Sequence, residues 1–322
     1  MSIIIIVGIM TISKHAKDKP EDDLKSSGYS IVRGNMSNIN NYSNVIEYNY
    51  ENKYESVVER HEYKFLEEIE LIGKDEYPQG LCITDDYVFV SAYSGNKNKM
   101  GIVRVYDVRT GECILTLGMD ESSHLGGITF DGTNIWVCNS SKMSIEKVSY
   151  EFVKNMIFHN RGKVVDVRHL IDSFRVKNIP STISYYNGQL WIATHTVLTN
   201  AKMISYQYFE KEMYLASIGT FNIPKKVQGV SFSEEGEVYL SVSYGRKQSS
   251  YVLKYESIHA MSKDITRYKS RIELPPCSEG LVYLDEKLYV LFESAGTKYL
   301  EGTDGKGKSL APLDKILVIS TS

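Results

Sequence analysis

Basic residues are not in surplus: 37 Lys and Arg stand against 40 Asp and Glu, a formal charge of −3. Nothing is left over to neutralise a phosphate backbone, and nucleic acid is excluded as a partner. Cysteine is sparse, with four residues and no C-x-x-C spacing, so a zinc or redox motif has no support. Cys82, Cys113 and Cys138 fall in apolar strand-like runs that do not neighbour one another, and free, buried thiols are expected. Long hydrophobic runs are missing too. The longest, residues 3–12, has about ten apolar positions where a bilayer needs about twenty. With 42% hydrophobic and 24% charged residues, the composition excludes wholesale disorder, collagen and a polytopic membrane protein. Proline is rare at 7 residues, whereas tyrosine reaches 24, a bias that suits strands better than helices.

Residues 1–13 form a segment like a signal sequence or an anchor. Its length fits a signal-peptide core, although no basic region precedes it and no A-x-A site clearly follows. Lys14, Lys17 and Lys19 suit the flank of an anchor whose first half would precede residue 1, and four consecutive isoleucines equally make a buried terminal strand. Export, or attachment to the cell surface through this segment, is the expectation. Residues 14–60 are polar and rich in Asn and Ser and read as a linker, leaving 61–322 as the folded domain.

Internal repetition organises that domain. Residues 79–90, 126–137, 181–192, 228–240 and 279–290 share one plan: a small residue, an apolar strand, an Asp/Asn/Gly turn, and a second strand with an aromatic. From Gly80 to Phe89, Gly127 to Trp136, Thr182 to Trp191 and Gly280 to Tyr289 the offset is nine residues, and from Gly229 to Tyr239 it is ten. Successive copies lie 47, 55, 47 and 51 residues apart. Repeats of this period built from short strands are β-propeller blades. The fold class is therefore all-β, a propeller of five blades, with six as the alternative if residues 24–60 supplied another. Residues 151–157 and 257–261 read as short helical insertions that lengthen two of the spacings. The last repeat ends after its third strand, at 314–319, and residues 63–72 are expected to supply its outer strand and close the ring. The five repeat aromatics, fixed in the second strand, are expected to pack between blades and not to stack on sugars.

These repeats resemble NHL and gluconolactonase-like propellers, and secreted propeller proteins of Gram-positive bacteria in particular. The resemblance is carried by 124–128, 227–232 and 291–299, spans about 75–322, and implies the architecture but no defined activity. In a propeller the start of each inner strand and the end of each second strand converge on one mouth of the central channel. The residues so placed are Gln79, Tyr93, His124, Asn139, Ser181, His195, Gln228, Ser243, Tyr244, Glu279 and Glu293. Gln79, Tyr93, Asn139, Ser181, Gln228, Ser243 and Tyr244 are ligand-binding candidates, for a small molecule, saccharide or peptide bound by a monomer without turnover. Alternatively Glu293 and Glu279 with His195 or His124 would act as acid and base in a hydrolase or lyase. No cofactor is required. Calcium is the possible exception, since the resemblance to calcium-dependent lactonases implies a site of Glu279, Glu293 and Asn139, although no matching Asp is present.

Residues 302–309 match the G-x-x-x-x-G-K-S pattern letter for letter. A phosphate loop must run into a helix whose first amides hold the phosphate, but Pro312 and a strand follow at once. The segment reads as a basic loop that overhangs the mouth, where Lys298, Lys306 and Lys308 would attract an anion.

Overall fold

A computed structural model describes residues 76–95, 100–120, 124–294 and 296–321, and all statements of structure refer to these. They form five sheets. Blade 1 runs β1 (Glu76–Ile83), β2 (Tyr87–Ser94), β3 (Ile102–Asp107) and β4 (Cys113–Gly118) from channel to rim. Blade 2 comprises β5 (Ile128–Phe130), β6 (Asn134–Asn139), β7 (Ser144–Ser149) and β9 (Asp172–Arg175). Blade 3 holds β10 (Thr182–Tyr186), β11 (Gln189–Ala193), β12 (Ala201–Phe209) and β13 (Tyr214–Ile223). Blade 4 holds β14 (Val227–Phe232), β15 (Val238–Val242), β16 (Ser250–Tyr255) and β17 (Ser270–Leu274). Blade 5 has three described strands, β18 (Ser278–Leu284), β19 (Lys287–Phe292) and β20 (Leu317–Ser320). The expected outer strand at 63–72, the segments 1–13 and 14–60, and the stretch that would have built a sixth blade lie outside the described residues. Among the described residues no helix is long and apolar enough to cross a membrane.

The repeat has a fixed register behind it. Each aromatic of the second strand pairs with the residue two places after the repeat's small residue: Cys82 with Phe89, Thr129 with Trp136, Ser184 with Trp191, Ser231 with Tyr239 and Val282 with Tyr289. The extra residue of blade 4 is taken up in the turn, not in the pairing. Turn chemistry also serves the core: Asp131 caps the hairpin through Thr133 N (2.8 Å) and Asn134 N (2.6 Å), and accepts from Trp136 Nε1 at 2.6 Å.

Burial then closes the ring. Phe89 lies in the core between blades 1 and 2, Trp136 between 2 and 3, and Trp191 between 3 and 4. Tyr239 lies between blades 4 and 5, and Tyr289 between 5 and 1, against Leu81, Val88 and Val90. All five aromatics are buried, as interblade packing requires. Five cores joining five sheets in a circle make a five-bladed β-propeller.

The small residues have an equally physical cause. A Cβ on Gly80 would sit 2.9 Å from Gly127 Cα, one on Gly127 2.6 Å from Ile183 N, one on Gly229 2.6 Å from Glu279 O, and one on Gly280 2.6 Å from Leu81 N. Inner strands of a narrow ring approach backbone to backbone, and glycine permits it.

The expected helices form α1 (Tyr150–Asn160), capped by Ser149, and α2 (Ile258–Lys263), capped by Ser257. Val153 and Ile157, one turn apart on α1, are buried in the core between blades 1 and 2. After α1 the chain makes β8 (Val164–Asp166), which pairs in parallel with β4 before blade 2 is completed by β9. The repeat gives no sign of this three-residue detour. Cys82, Cys138 and Cys277 are buried free thiols, and Cys113 is free but half-buried.

Candidate functional site

The mouth where β1, β10, β14 and β18 begin opens into a pocket of about 570 Å³ on the side of blades 4 and 5. Of the expected residues, His195, Gln228, Ser243, Tyr244, Glu279 and Glu293 line it. Glu279, fully buried at the start of β18, accepts from Gln228 Nε2 at 2.9 Å. Glu293, just after β19, accepts from Gln79 Nε2 at 3.1 Å and from the Tyr299 hydroxyl. Burial drives the Glu279 carboxyl well above the usual carboxylate range, and the Glu293 charge beside it adds to the effect. Burial raises Glu293 as well, while Lys298, Tyr299 and Gln79 pull it back. The two carboxyls are in hydrogen-bonding contact, and like charges this close favour one proton held by the pair as a whole.

Around this pair stands a group of residues that the repeat did not single out. Between β19 and β20 the chain makes a four-residue helix, α3 (Thr297–Leu300), and then the glycine-rich loop. The Lys298 ammonium donates to the Tyr93 hydroxyl and lies 4.2 Å from the ring centre of Tyr77, 4.5 Å from that of Tyr299 and 4.8 Å from that of Tyr93. Arg246 covers a face of Tyr299 at 4.5 Å, pairs with Asp304 through Nη1 and Nη2, and donates to the Lys298 and Gly307 carbonyls at 2.8 and 2.6 Å. Ser309 N donates to Tyr299 O at 2.7 Å, and Leu310 N to Arg246 O at 2.9 Å. The glycine-rich loop therefore does overhang the mouth, with Asp304 and Lys306 in the pocket wall, but among the described residues only bends, irregular chain and β20 follow it and no helix. Lys298 borders the pocket, half-buried, but its ammonium is spent on tyrosines and donates to the Tyr93 hydroxyl. Cys277, also in the wall, has its thiol pushed up to about 12 by burial, with the Glu293 charge adding, so it is no nucleophile at neutral pH.

The other expected residues divide. Ser243 is buried and accepts from Ser250 Oγ at 2.9 Å, which gives it a structural engagement within blade 4. Tyr244 is exposed at the rim under the Lys226 ammonium. Ser181 Oγ accepts from His195 N at 2.9 Å, and His195 Nδ1 faces Val227 O at 3.2 Å, so that ring is turned to the backbone of blade 4. Burial lowers the His195 pKa. His124 stacks on Tyr93 with ring centres 3.9 Å apart. The residue keeps part of its surface in water, but its ring is desolvated against Tyr93, and that burial, with Lys298 and His195 nearby, lowers its pKa to about 4. His124 is expected to remain neutral as the pH is lowered to 5, which a titration of its imidazole nitrogen shifts by NMR would show. A midpoint near 6.5 would mean that the ring is free of this stack.

Asn139 is not brought to the carboxyl pair. Its Nδ2 donates to Asp120 at 3.1 Å and to the buried Glu146 at 3.0 Å, and its Oδ1 accepts from Ser141 Oγ and Lys142 N. Both ends of the carboxamide are held within blade 2 and its flanking loop. Among the described residues no three His, Cys, Asp or Glu side chains are grouped to hold a metal ion. A carboxyl pair sharing a proton beside an ammonium is also a poor calcium ligand set. The residues present do not fit the calcium site implied by the resemblance.

No family model matches the chain, and no curated protein matches it in sequence. Among solved structures it is similar to the glutaminyl cyclase of Myxococcus xanthus, at 12% identity over 69% of this chain and 88% of that one, with a TM-score of 0.45. It is also similar to a chain of a nidogen/laminin complex, at 15% identity over 67% of this chain and 72% of that one, with a TM-score of 0.41. The propeller assignment rests on the five sheets and five cores of the chain itself.

Proposed function

We propose that this propeller is a binding protein whose site is the pocket over Glu279 and Glu293, and that it holds a small polar molecule, a saccharide or a peptide end without turnover. The observation that supports this reading is the state of the floor. Glu279 is buried and Glu293 half-buried, and each carboxyl is fixed by partners from other blades or from α3, which makes a rigid, preorganised polar surface open on one side. Rigid polar groups at the base of a concavity fix the orientation of a ligand at little entropic cost. The groups that would have to be reactive are quiet: the Cys277 thiol is held protonated, and His195 is turned to a carbonyl. Monomeric action and an exported or surface-attached location complete the proposal.

A panel of monosaccharides, amino acids and dipeptides screened by ligand-observed NMR is expected to give at least one saturable class of binder. Gln228→Ala should weaken that binder by about tenfold, the effect of one lost polar contact of 1.4 kcal/mol. Binders indifferent to Gln228→Ala but sensitive to changes on the outer strands would overturn the proposal. One observation favours a second reading: two carboxyls in contact, both raised by burial, are the arrangement of a general acid with its partner. If the bound compound is converted over hours, and Glu279→Gln stops the conversion while preserving binding, the protein is a hydrolase or lyase.

A further inference from the structure

Lys298 holds the most unusual position in the molecule. Its ammonium is enclosed by three tyrosine rings, at 4.2, 4.5 and 4.8 Å, and donates to one hydroxyl. Among the described residues it makes no close ion pair, although Glu293 and Glu279 are near enough for their charges to act on it. Aromatic faces arranged around a cation are the physical means by which proteins recognise ammonium groups. Here the cation belongs to the protein itself and is carried on a short helix in an insertion between two strands.

The parts of the cage differ in rigidity. Tyr77 and Tyr93 belong to the paired strands β1 and β2, and their rings lie 5.1 Å apart. Gln79, which bonds Glu293, is in β1 as well. Tyr299 and Lys298 both sit on α3, which has no strand pairing and is tied down by Arg246. Tyr299 is itself held by Glu293 and Arg246, so all three walls and the acidic floor remain if the Lys298 side chain swings out on its flexible stem further into the adjoining pocket. An incoming ammonium would recover the ring faces and the Tyr93 oxygen that the lysine gave up.

We infer that the cage of Tyr77, Tyr93 and Tyr299 is an ammonium-binding site that Lys298 occupies from within, and that the ligands of the mouth carry a primary or methylated ammonium group which displaces it. The inference rests on the reading of the mouth as a binding site and names the chemical class that the site takes. Self-occupancy lowers the apparent affinity of any such ligand by the fraction of time the cage is vacant. It also keeps an acidic, aromatic pocket from holding stray cations.

The test uses the full chain as wild type, Lys298→Ala and Lys298→Met, titrated with methylammonium and n-butylammonium, and with methanol and n-butanol as neutral counterparts. Binding is read by thermal shift and by tyrosine fluorescence. Lys298→Ala is expected to melt lower than wild type, to regain stability with n-butylammonium and not with n-butanol, and to bind the ammonium about tenfold more tightly than wild type does. Adding Tyr93→Ala should abolish the gain. If Lys298→Ala does not fold, Lys298→Met keeps the stem in place and methylammonium is the probe. Equal responses to the ammonium and the alcohol, or a response that survives Tyr93→Ala, would overturn the cage. Recovery of Lys298→Ala with no ammonium ion bound by wild type would overturn displacement. A ligand without an ammonium group that binds wild type and depends on Gln228, with alkylammonium ions inert throughout, would overturn this inference and leave the binding proposal standing.

Discussion

Gly127→Val is expected to leave no stable folded protein, whereas Gly132→Asn, five residues away, costs about 1 kcal/mol or less. The first Cβ of a side chain at 127 would lie 2.6 Å from Ile183 N and 2.7 Å from Thr182 Cα. Both are backbone atoms of the next inner strand, and that strand is fixed in turn by its own neighbours around the ring. Overpacking into a yielding core costs about 1–3 kcal/mol. In a closed ring the displacement cannot be absorbed at one interface without opening another, so the cost exceeds that range and falls among the exceptional substitutions. Gly132 also has a distinctive backbone, with φ +96°, but nothing lies within 4 Å of its Cβ position, and asparagine tolerates left-handed conformations best. Thermal melts by circular dichroism, together with soluble yield, would check the pair. A cooperative Gly127→Val melt within a few degrees of wild type would show that the inner strands are further apart than described.

Glu279→Gln is expected to stabilise the protein above neutral pH, and the gain should disappear in acid. Burial raises the Glu279 carboxyl in the folded state, so it keeps its proton to higher pH than the unfolded chain, which releases it near the ordinary value of 4.5. Folding therefore binds a proton once the pH exceeds that value. The stabilisation that the protonated acid contributes is complete below about pH 4.5 and is lost as the pH rises through the raised folded pKa. Glutamine has the shape of the protonated acid: its oxygen can accept from Gln228 Nε2 as Glu279 Oε1 does at 2.9 Å, and its amide can donate towards Glu293. The variant makes those bonds without taking up a proton. A pH displacement of one unit corresponds to about 1.4 kcal/mol, so at pH 8 a gain of at least about 1 kcal/mol is expected, or a few degrees in Tm for a domain of this size. Melts of wild type and variant at pH 4, 6 and 8 should diverge progressively. Parallel curves would mean that Glu279 ionises as it would in water.

Gln79, Gln228, Glu279 and Glu293 were legible as a group because they occupy equivalent places in repeated hairpins, and register carries each of them to the same mouth. The same argument failed for Asn139. It stands three residues after Trp136, one short of the place that Glu293 takes after Tyr289, and the buried Glu146 and Asp120 hold its carboxamide, a partnership no repeat predicts. Tyr77, Arg246, Lys298 and Tyr299 were not found as a site. Apart from Tyr77, in the first residues of β1, they come from connections between strands, and Lys298 was read as part of a basic loop open to anions.

By itself, the sequence determined the all-β class, the five repeats behind the blades, the interblade place of Phe89, Trp136, Trp191, Tyr239 and Tyr289, the two helical insertions and the carboxylates of the mouth. Most of these follow from a local rule, strand period or turn chemistry, repeated along the chain. Only the tertiary structure decided that β8 joins blade 1, that Asn139 stays within blade 2, and that the Lys298 ammonium is spent on three tyrosines. Those outcomes depend on which side chains from distant parts of the chain compete for the same space and the same hydrogen bonds, and such competition has no period along the sequence.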